Sequence, residues 1–249
     1  MTTQEKQFLN FCVDLKKQLI PYKTNLQKFR IGEPGDGGYV IADIPDINYD
    51  ALYSYGSDDN IIFEKAFYEK YNVESFVYDH TIDKITDKPD YIHFFKEGVS
   101  HEKTNDMDTM DNQIIKNKHQ DCKNLFAQID IEGHEWNVLG NTTSLKQFAQ
   151  MVVEFHMVVN DPRIVGILEK INKDFVCVHI HGNNCPLRPW FDGNLPSFYE
   201  VTYVRKDLVE ILGKETETYP IKDLDFPNDH KRPDLKLDWW LKEGEYYDI

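Results

Sequence analysis

Short apolar runs recur along this chain, each followed by a stretch with helical spacing, and that alternation restricts the fold more than any other feature. Strands joined by helical crossovers pair in parallel, and the helices then cover both faces of the sheet. The runs lie at residues 51–55, 75–78, 91–95, 125–130, 151–156, 175–181 and 198–205. Helical patterns fill most intervals, notably 61–70, 135–148 and 162–173. The expected fold class is therefore α/β, with a mostly parallel sheet flanked by helices. Ahead of the first run, Phe8, Leu9, Cys12, Leu15 and Leu19 recur at helical spacing, so residues 3–19 read as an amphipathic packing helix. The tail after Tyr219 carries Pro220, Pro227 and Pro233 among charges and aromatics. It reads as loop and short helix wrapped over the surface.

With 249 residues the chain is long enough to build one core without a disulfide or structural metal. Its 43 acidic residues outnumber 28 basic ones, for a formal charge of −15, which opposes binding to a phosphate backbone and argues against a nucleic-acid partner. Cys12, Cys122, Cys177 and Cys185 show no C-x-x-C pair or zinc spacing, which suits reduced thiols and a cytoplasmic location. No run approaches the roughly 18 apolar residues of a membrane span, and residues 1–17 lack the apolar region of a signal peptide.

Chemistry concentrates at residues 125–136, LFAQIDIEGHEW, a buried strand that ends in acids, a glycine turn and a helix start. Ligands of open α/β sheets bind beyond the carboxyl ends of the strands, so Asp130 and Glu132 stand at the expected rim. For Glu132 or Glu135 alone, the positive end of a helix dipole is a sufficient explanation. The first strand runs into a turn at Gly56, where the backbone can approach a ligand. Asp79 ends the next strand 23 positions later, the spacing of an acid that binds ribose hydroxyls. The turn is not G-x-G-x-x-G, and Asp58 and Asp59 would repel a pyrophosphate, which disfavours NAD but tolerates S-adenosylmethionine. An ordinary strand-to-helix turn explains the same residues equally well. A glycine-rich turn at residues 32–38 leads into a further short strand.

Taken together, Arg30-x-Gly32 with Asp36-Gly37-Gly38-Tyr39-Val40, Tyr53-Ser54-Tyr55-Gly56, Asp79, the 129–136 segment and Val153-Glu154-Phe155-His156 resemble the FkbM-like methyltransferases over residues 30–205. The resemblance implies a class I methyltransferase Rossmann-like fold and S-adenosylmethionine as cofactor. With the single domain that the length favours over 1–249, it divides the chain into an N-terminal helical cap (1–29), a Rossmann-like core (30–205) and a C-terminal extension (206–249). It assigns Tyr55 and Gly56 to the methionine part of the cofactor, Asp79 to the ribose, and Gly98, Val99 and Ser100 to the adenine. It also brings Asp36, Gly37 and Gly38 near the cofactor. The first turn lacks a second glycine, which leaves contacts at Ser57 and Asp58 open.

Many such enzymes methylate sugar hydroxyls, which are weak nucleophiles at neutral pH. Transfer then needs a general base or a divalent metal that lowers the hydroxyl pKa. Asp130 is the expected base or metal ligand, with His134, His156 and His181 as assisting catalytic candidates. Period two puts Glu154 with His156, and His179 with His181, on common faces, so adjacent strand ends could converge. Asp130, Glu154 and His181 form the expected ligand set for Mg²⁺ or Mn²⁺. Any one of these histidines is equally explained as a hydrogen-bonded neighbour that orients a carboxylate. Asn183, Asn184, Arg188 and Trp190 are candidate sugar contacts, and Arg163, Arg188 and Arg205 candidate partners of a diphosphate. Turn formation, core burial and surface ion pairing are their plainer roles.

The expected function is an S-adenosylmethionine-dependent O-methyltransferase acting on a sugar hydroxyl of a polysaccharide or its nucleotide-sugar precursor. A non-catalytic Rossmann-like binding or scaffold protein is the alternative left by the irregular first turn. An NAD-linked sugar oxidoreductase is a third reading. The sequence leaves a homo-oligomer open.

Overall fold

The computed structural model describes residues 2–157, 161–185, 190–192 and 195–242. Seven strands form the central sheet and are numbered here in chain order: β1 (Ala51–Tyr55), β2 (Ser75–Tyr78), β3 (Ile92–Phe95), β4 (Leu125–Ile129), β5 (Phe148–His156), β6 (Phe175–Gly182) and β7 (Phe198–Arg205). Their spatial order is β6-β7-β5-β4-β1-β2-β3. Every pairing is parallel except the two made by β7, which lies antiparallel between β5 and β6. The chain steps outward from β1 through β3 and then returns to the other side of β1 with β4. Between β1 and β4 the sheet therefore has a switch point, where open α/β sheets form a crevice.

All residues of β1, β4 and β5 are buried, which is why they appear as continuous apolar runs rather than alternating ones. One face packs Tyr53, Ile129 and Val153 against helices α1 (Thr3–Gln18), α4 (Glu135–Asn141) and α5 (Arg163–Asp174), through Leu15, Leu139 and Leu168. The other face packs Leu52, Phe126 and Val152 against Phe63 and Phe67 of α2 (Ile62–Tyr71). An antiparallel hairpin, Gln27–Ile31 with Tyr39–Asp43, completes that second layer and carries the glycine turn at its tip.

Three features differ from the sequence expectations. The helix expected over 135–148 stops at Asn141, and Phe148 already opens β5. Asp111, on the unforeseen short helix α3 (Met110–Lys116), accepts the Thr143 and Ser144 N–H groups and both hydroxyls, turning the chain there. The segment before residue 30 is not wholly helical, because Tyr22–Thr24 pairs with Ile211–Lys214. The tail also does more than wrap the surface. Tyr219, Leu235, Leu237, Trp239 and Trp240 are buried, and the two indoles donate to the carbonyls of Lys16 and Glu217. Five large apolar side chains cannot be left in water cheaply, so this extension closes one side of the core.

Candidate functional site

A cleft of about 320 Å³ opens at the carboxyl ends of β1, β2 and β4, at the switch point. Gly56, Asp79 and Asp130 line it, with Asp36, Asp58, Glu132 and His134 around the mouth and Tyr78, Val99, Met107 and Ile131 as apolar wall. Gly56 has φ 77°, and a Cβ there would sit 1.7 Å from the Asp130 carbonyl oxygen. The glycine is thus required by the neighbouring strand end, not only by a ligand. The turn after β4 is equally constrained, with Glu132 at φ 53° and Gly133 at φ 99°. That turn swings the chain round so that Glu135, the first residue of α4, folds back beneath it.

Glu135 is fully buried and anchors the acid turn. Its Oε1 accepts the N–H groups of Ile131 and Gly133, each at 3.1 Å, and also accepts His156 Nδ1–H at 3.1 Å. The other imidazole nitrogen, Nε2, lies 3.3 Å from Glu132 Oε2 and 4.0 Å from Asp130 Oδ1. Asp130 Oδ1 is buried and has no hydrogen-bond partner. Burial pushes the Asp130 carboxyl up to about 7; His156 opposes the shift, while Glu132, Glu135 and Asp36 add to it. Burial depresses the His156 pKa, yet Glu135, Asp130 and Glu132 outweigh it and raise it.

Asp130, Glu132 and His156 offer ligand atoms within 4.8 Å of one another. Two carboxylate oxygens and an imidazole held from behind by a carboxylate suit Mn²⁺ better than Mg²⁺. Of the expected Asp130, Glu154 and His181, only Asp130 belongs to this group. Glu154 is buried beside Asp130, but its Oε1 accepts Asn183 Nδ2–H at 2.8 Å. His181 is paired on both sides, Nδ1 to Glu200 and Nε2 to Asp234, each at 3.0 Å. His179 bonds Asp225 at 2.7 Å. These two histidines hold the tail and do not reach the cleft lining.

The remaining expectations divide. Asp36, Gly56, Asp79, Val99 and His134 line the cleft, with Gly98 beside them, whereas Ser100 does not. Asp79 already accepts the Asp58 and Thr81 N–H groups and the Thr81 hydroxyl, bracing the first turn. The Tyr55 side chain is buried in the core and does not itself line the cleft; its ring stacks, at 5.5 Å between centroids, behind that of Tyr78, which does. Asn184 donates to the carbonyls of Asp229, Arg232 and Pro233 and accepts from Asp229 N–H, and the Asn183 side-chain oxygen accepts Cys185 N–H. Asn184 is thus committed to holding the tail, and Asn183 to Glu154 and its own turn, so neither side chain is a free sugar contact. Arg205 bonds the carbonyls of Lys123 and Phe148, at the amino ends of the parallel strands and opposite the cleft. Arg163 is held by Asp161 and Asn137. Arg188 lies outside the described residues, and of Trp190 only its strand position, opposite Pro196, is described.

The hairpin turn is organised by Arg30, whose guanidinium donates to the carbonyls of Glu33, Gly35, Gly38 and Leu224. Gly38 is packed against Arg30 and Glu33, so its role is to form the turn. Gly37 and Asp36 instead face a second, smaller cavity that shares Asp36, Gly56, Asp58 and Asp130 with the cleft. Glu64 and Gln128 line its far side. The sequence reading assigns Glu135 only a helix-dipole role and does not mark Glu64; both sit in the first turn of a helix, where the dipole alone accounts for an acid. No protein-family model matches this chain, and no curated protein matches it.

Proposed function

We propose that this chain transfers a methyl group from S-adenosylmethionine to a carbohydrate hydroxyl. The observation that carries the reading is Asp130, a strand-end carboxylate with a bare buried oxygen and a pKa pushed up to about 7, in a switch-point cleft beside Gly56 and Asp79. The antiparallel β7 between β5 and β6 departs from the parallel 3-2-1-4-5-6 order of dinucleotide folds and agrees with the class I methyltransferase sheet. Neither cavity lining contains Lys or Arg. That suits a cationic sulfonium and opposes a pyrophosphate, which weighs against a nicotinamide cofactor.

In this reading Asp79 accepts from the ribose hydroxyls, and Tyr78, Val99, Met107 and Ile131 supply the apolar wall for adenine. S-adenosylmethionine would supply the methyl group, sulfur keeping the electron pair of the broken S–C bond, and Asp130 would take the proton of the acceptor hydroxyl. A base with a pKa near the working pH is matched to that transfer. His156, fixed by Glu135, is a positioning residue whose charge keeps Asp130 ionisable. Asp130, Glu132 and His156 would also hold Mn²⁺ or Mg²⁺, which would supply Lewis-acid activation of the hydroxyl instead.

Calorimetric titration of metal-stripped protein with S-adenosylhomocysteine, repeated with Mn²⁺ and Mg²⁺, tests the reading. One-site binding without metal is expected. No binding in any condition overturns it in favour of a non-catalytic binding protein, and binding only with metal replaces the base by metal activation.

A further inference from the structure

The tail and the cleft are joined by a continuous hydrogen-bonded chain. Asn228 Nδ2 donates to Asp36 Oδ1 at 3.3 Å and to Glu200 Oε1 at 2.7 Å. Glu200 Oε2 meets His181 Nδ1 at 3.0 Å, and His181 Nε2 meets Asp234 Oδ1 at 3.0 Å. One end of this chain, Asp36, lines both cavities, and the other end lies in the tail. The glycine turn rests on the same tail segment at further points. Arg30, which gathers the carbonyls of the turn, donates to the Leu224 carbonyl and stands 5.4 Å from the centroid of the Phe226 ring. A Cβ at Gly35 would come 3.0 Å from His230 Nε2.

Asn228 is the link on which this chain depends. Both its neighbours are carboxylates, which accept when ionised, so the position calls for a side chain that donates twice and adds no charge. A hydroxyl has one hydrogen to give, and an aspartate would add a third carboxylate. The Asn228 Oδ1 is buried without a hydrogen-bond partner. Turning the amide over would instead set that oxygen between the two carboxylates. The amide thus leaves an acceptor unpaired in order to keep its N–H groups on Asp36 and Glu200, a cost that packing of the tail alone does not require. Among the described residues, no other hydrogen bond holds the Asp36 carboxylate.

We propose that the tail completes the cofactor site, with Asn228 as the positioning residue that holds the Asp36 carboxylate at the cleft. The proposal rests on the methyl-transfer reading, in which Asp36 stands near the cofactor, and it extends the site beyond residues 30–205 to the segment 224–230. Asp36 sits exposed on its turn, where an untethered carboxylate would lose rotamer freedom whenever a ligand bound. The Asn228 bond removes part of that loss before the ligand arrives.

The test is calorimetry with S-adenosylhomocysteine on the full chain, because removing the tail would strip Trp239 and Trp240 from the core. Asn228→Ala, and Asn228→Leu, which keeps the volume without the donors, should each weaken binding about three- to tenfold, the range of one net hydrogen bond. Asp36→Ala should weaken it at least as much. Adding Asn228→Ala to Asp36→Ala should then change the affinity by less than about twofold, because the group through which Asn228 acts is already gone. A merely structural role would instead lower the melting temperature and weaken binding equally in both backgrounds. Unchanged affinity in Asn228→Ala, full recovery in Asn228→Leu, full additivity with Asp36→Ala, or normal binding by Asp36→Ala would each overturn the proposal. Failure of S-adenosylhomocysteine to bind the unaltered protein overturns the underlying reading, a result seen before any substitution is made.

Discussion

Two clusters of Asp, Glu and His lie on neighbouring parts of one sheet and have opposite character. At the end of β6 the side chains are spent on one another and on the tail: His181 lies between Glu200 and Asp234, and Asn184 is held by three tail carbonyls and an N–H, while the two buried atoms left without a partner nearby, His179 Nδ1 and Asn228 Oδ1, line neither cavity. At the ends of β4 and β5 the same residue types leave Asp130 Oδ1 and Glu135 Oε2 buried without partners, next to a cleft. A satisfied buried network fixes structure, whereas an unsatisfied one stores a cost that a ligand or a proton can relieve. The first cluster is thus read as a lock on the tail and the second as the site of chemistry.

The sharpest way to break this contrast is Asp130→Asn. If the carboxylate is the base, methyl transfer should fall by roughly 10²–10⁴-fold, with S-adenosylhomocysteine affinity held within about threefold. The pH–rate profile of the unaltered enzyme should rise through about 7, the range to which burial lifts Asp130. Stability should move the other way. An acid whose folded pKa is raised above 3.8 favours the folded state when protonated, and that contribution is lost as pH climbs toward about 7. Asp130→Asn removes the penalty, so at pH 8 the variant should be more stable by on the order of 1 kcal/mol in urea melts. A variant that is both inactive and less stable at pH 8 would place Asp130 among the structural residues.

His181→Ala probes the other cluster. Loss of the imidazole leaves the buried Glu200 and the half-buried Asp234 without their partner, beside Glu154, and should cost roughly 3–5 kcal/mol of stability near neutral pH. Burial opposes the imidazolium, but Glu200 and Asp234 raise its pKa well above the ordinary value. The charged pair therefore stabilises the fold at acidic and neutral pH, and its contribution is lost as pH rises through that elevated pKa. Denaturant melts across pH would show the variant's deficit shrinking at alkaline pH. An undiminished melt at pH 7 with lost methyl transfer would return His181 to the catalytic set.

The fold was legible because buried strands need apolar runs, and β1, β2 and β7 fall at the residues the runs marked. Asp130 was legible as well, since a strand end in an open sheet is a place defined by order alone. The partners of that strand end were not. Period two correctly puts His179 and His181 on a common face, yet it says nothing of which strand lies opposite. β7 enters between β5 and β6, so Glu200 stands between Glu154 and His181 and takes the imidazole for itself. The tail hid its role for a similar reason, because Trp239 and Trp240 find their places through contacts distant in sequence, with Tyr199, Tyr219 and α1.

Glu135→Gln gives a smaller and more diagnostic effect. The amide can keep the two backbone N–H bonds through its oxygen but loses the charge behind His156. By analogy with carboxylates that orient imidazoles, a drop of about tenfold in rate is expected. His156 opposes the rise in the Asp130 pKa more strongly than Glu135 supports it, so a weakened imidazolium should move the pH–rate midpoint upward. A merely structural role for Glu135 would lower the rate or the melting temperature without moving that midpoint.

The smallest expected effect separates the acidic cleft from a phosphate-binding one. Arg163 is the expected diphosphate partner that follows β5 in the chain, but Asp161 holds its Nε and Nη2, and Asn137 its Nη1. Arg163→Ala should leave the acceptor KM within about twofold, because an exposed ion pair contributes little and the guanidinium faces its own loop. A tenfold rise in KM for a nucleotide-sugar acceptor, reversed by Arg163→Lys, would mean that the Asp161 pair opens on binding and that phosphate enters from the α5 side. The six carboxylates of the two cavities would then have to be screened by a bound cation, and Asp130, Glu132 and His156 are the residues arranged to hold one. A Mn²⁺ requirement confined to the phosphorylated acceptor would follow from that arrangement, and an unchanged KM without metal keeps the cleft as a site for uncharged or cationic sugars.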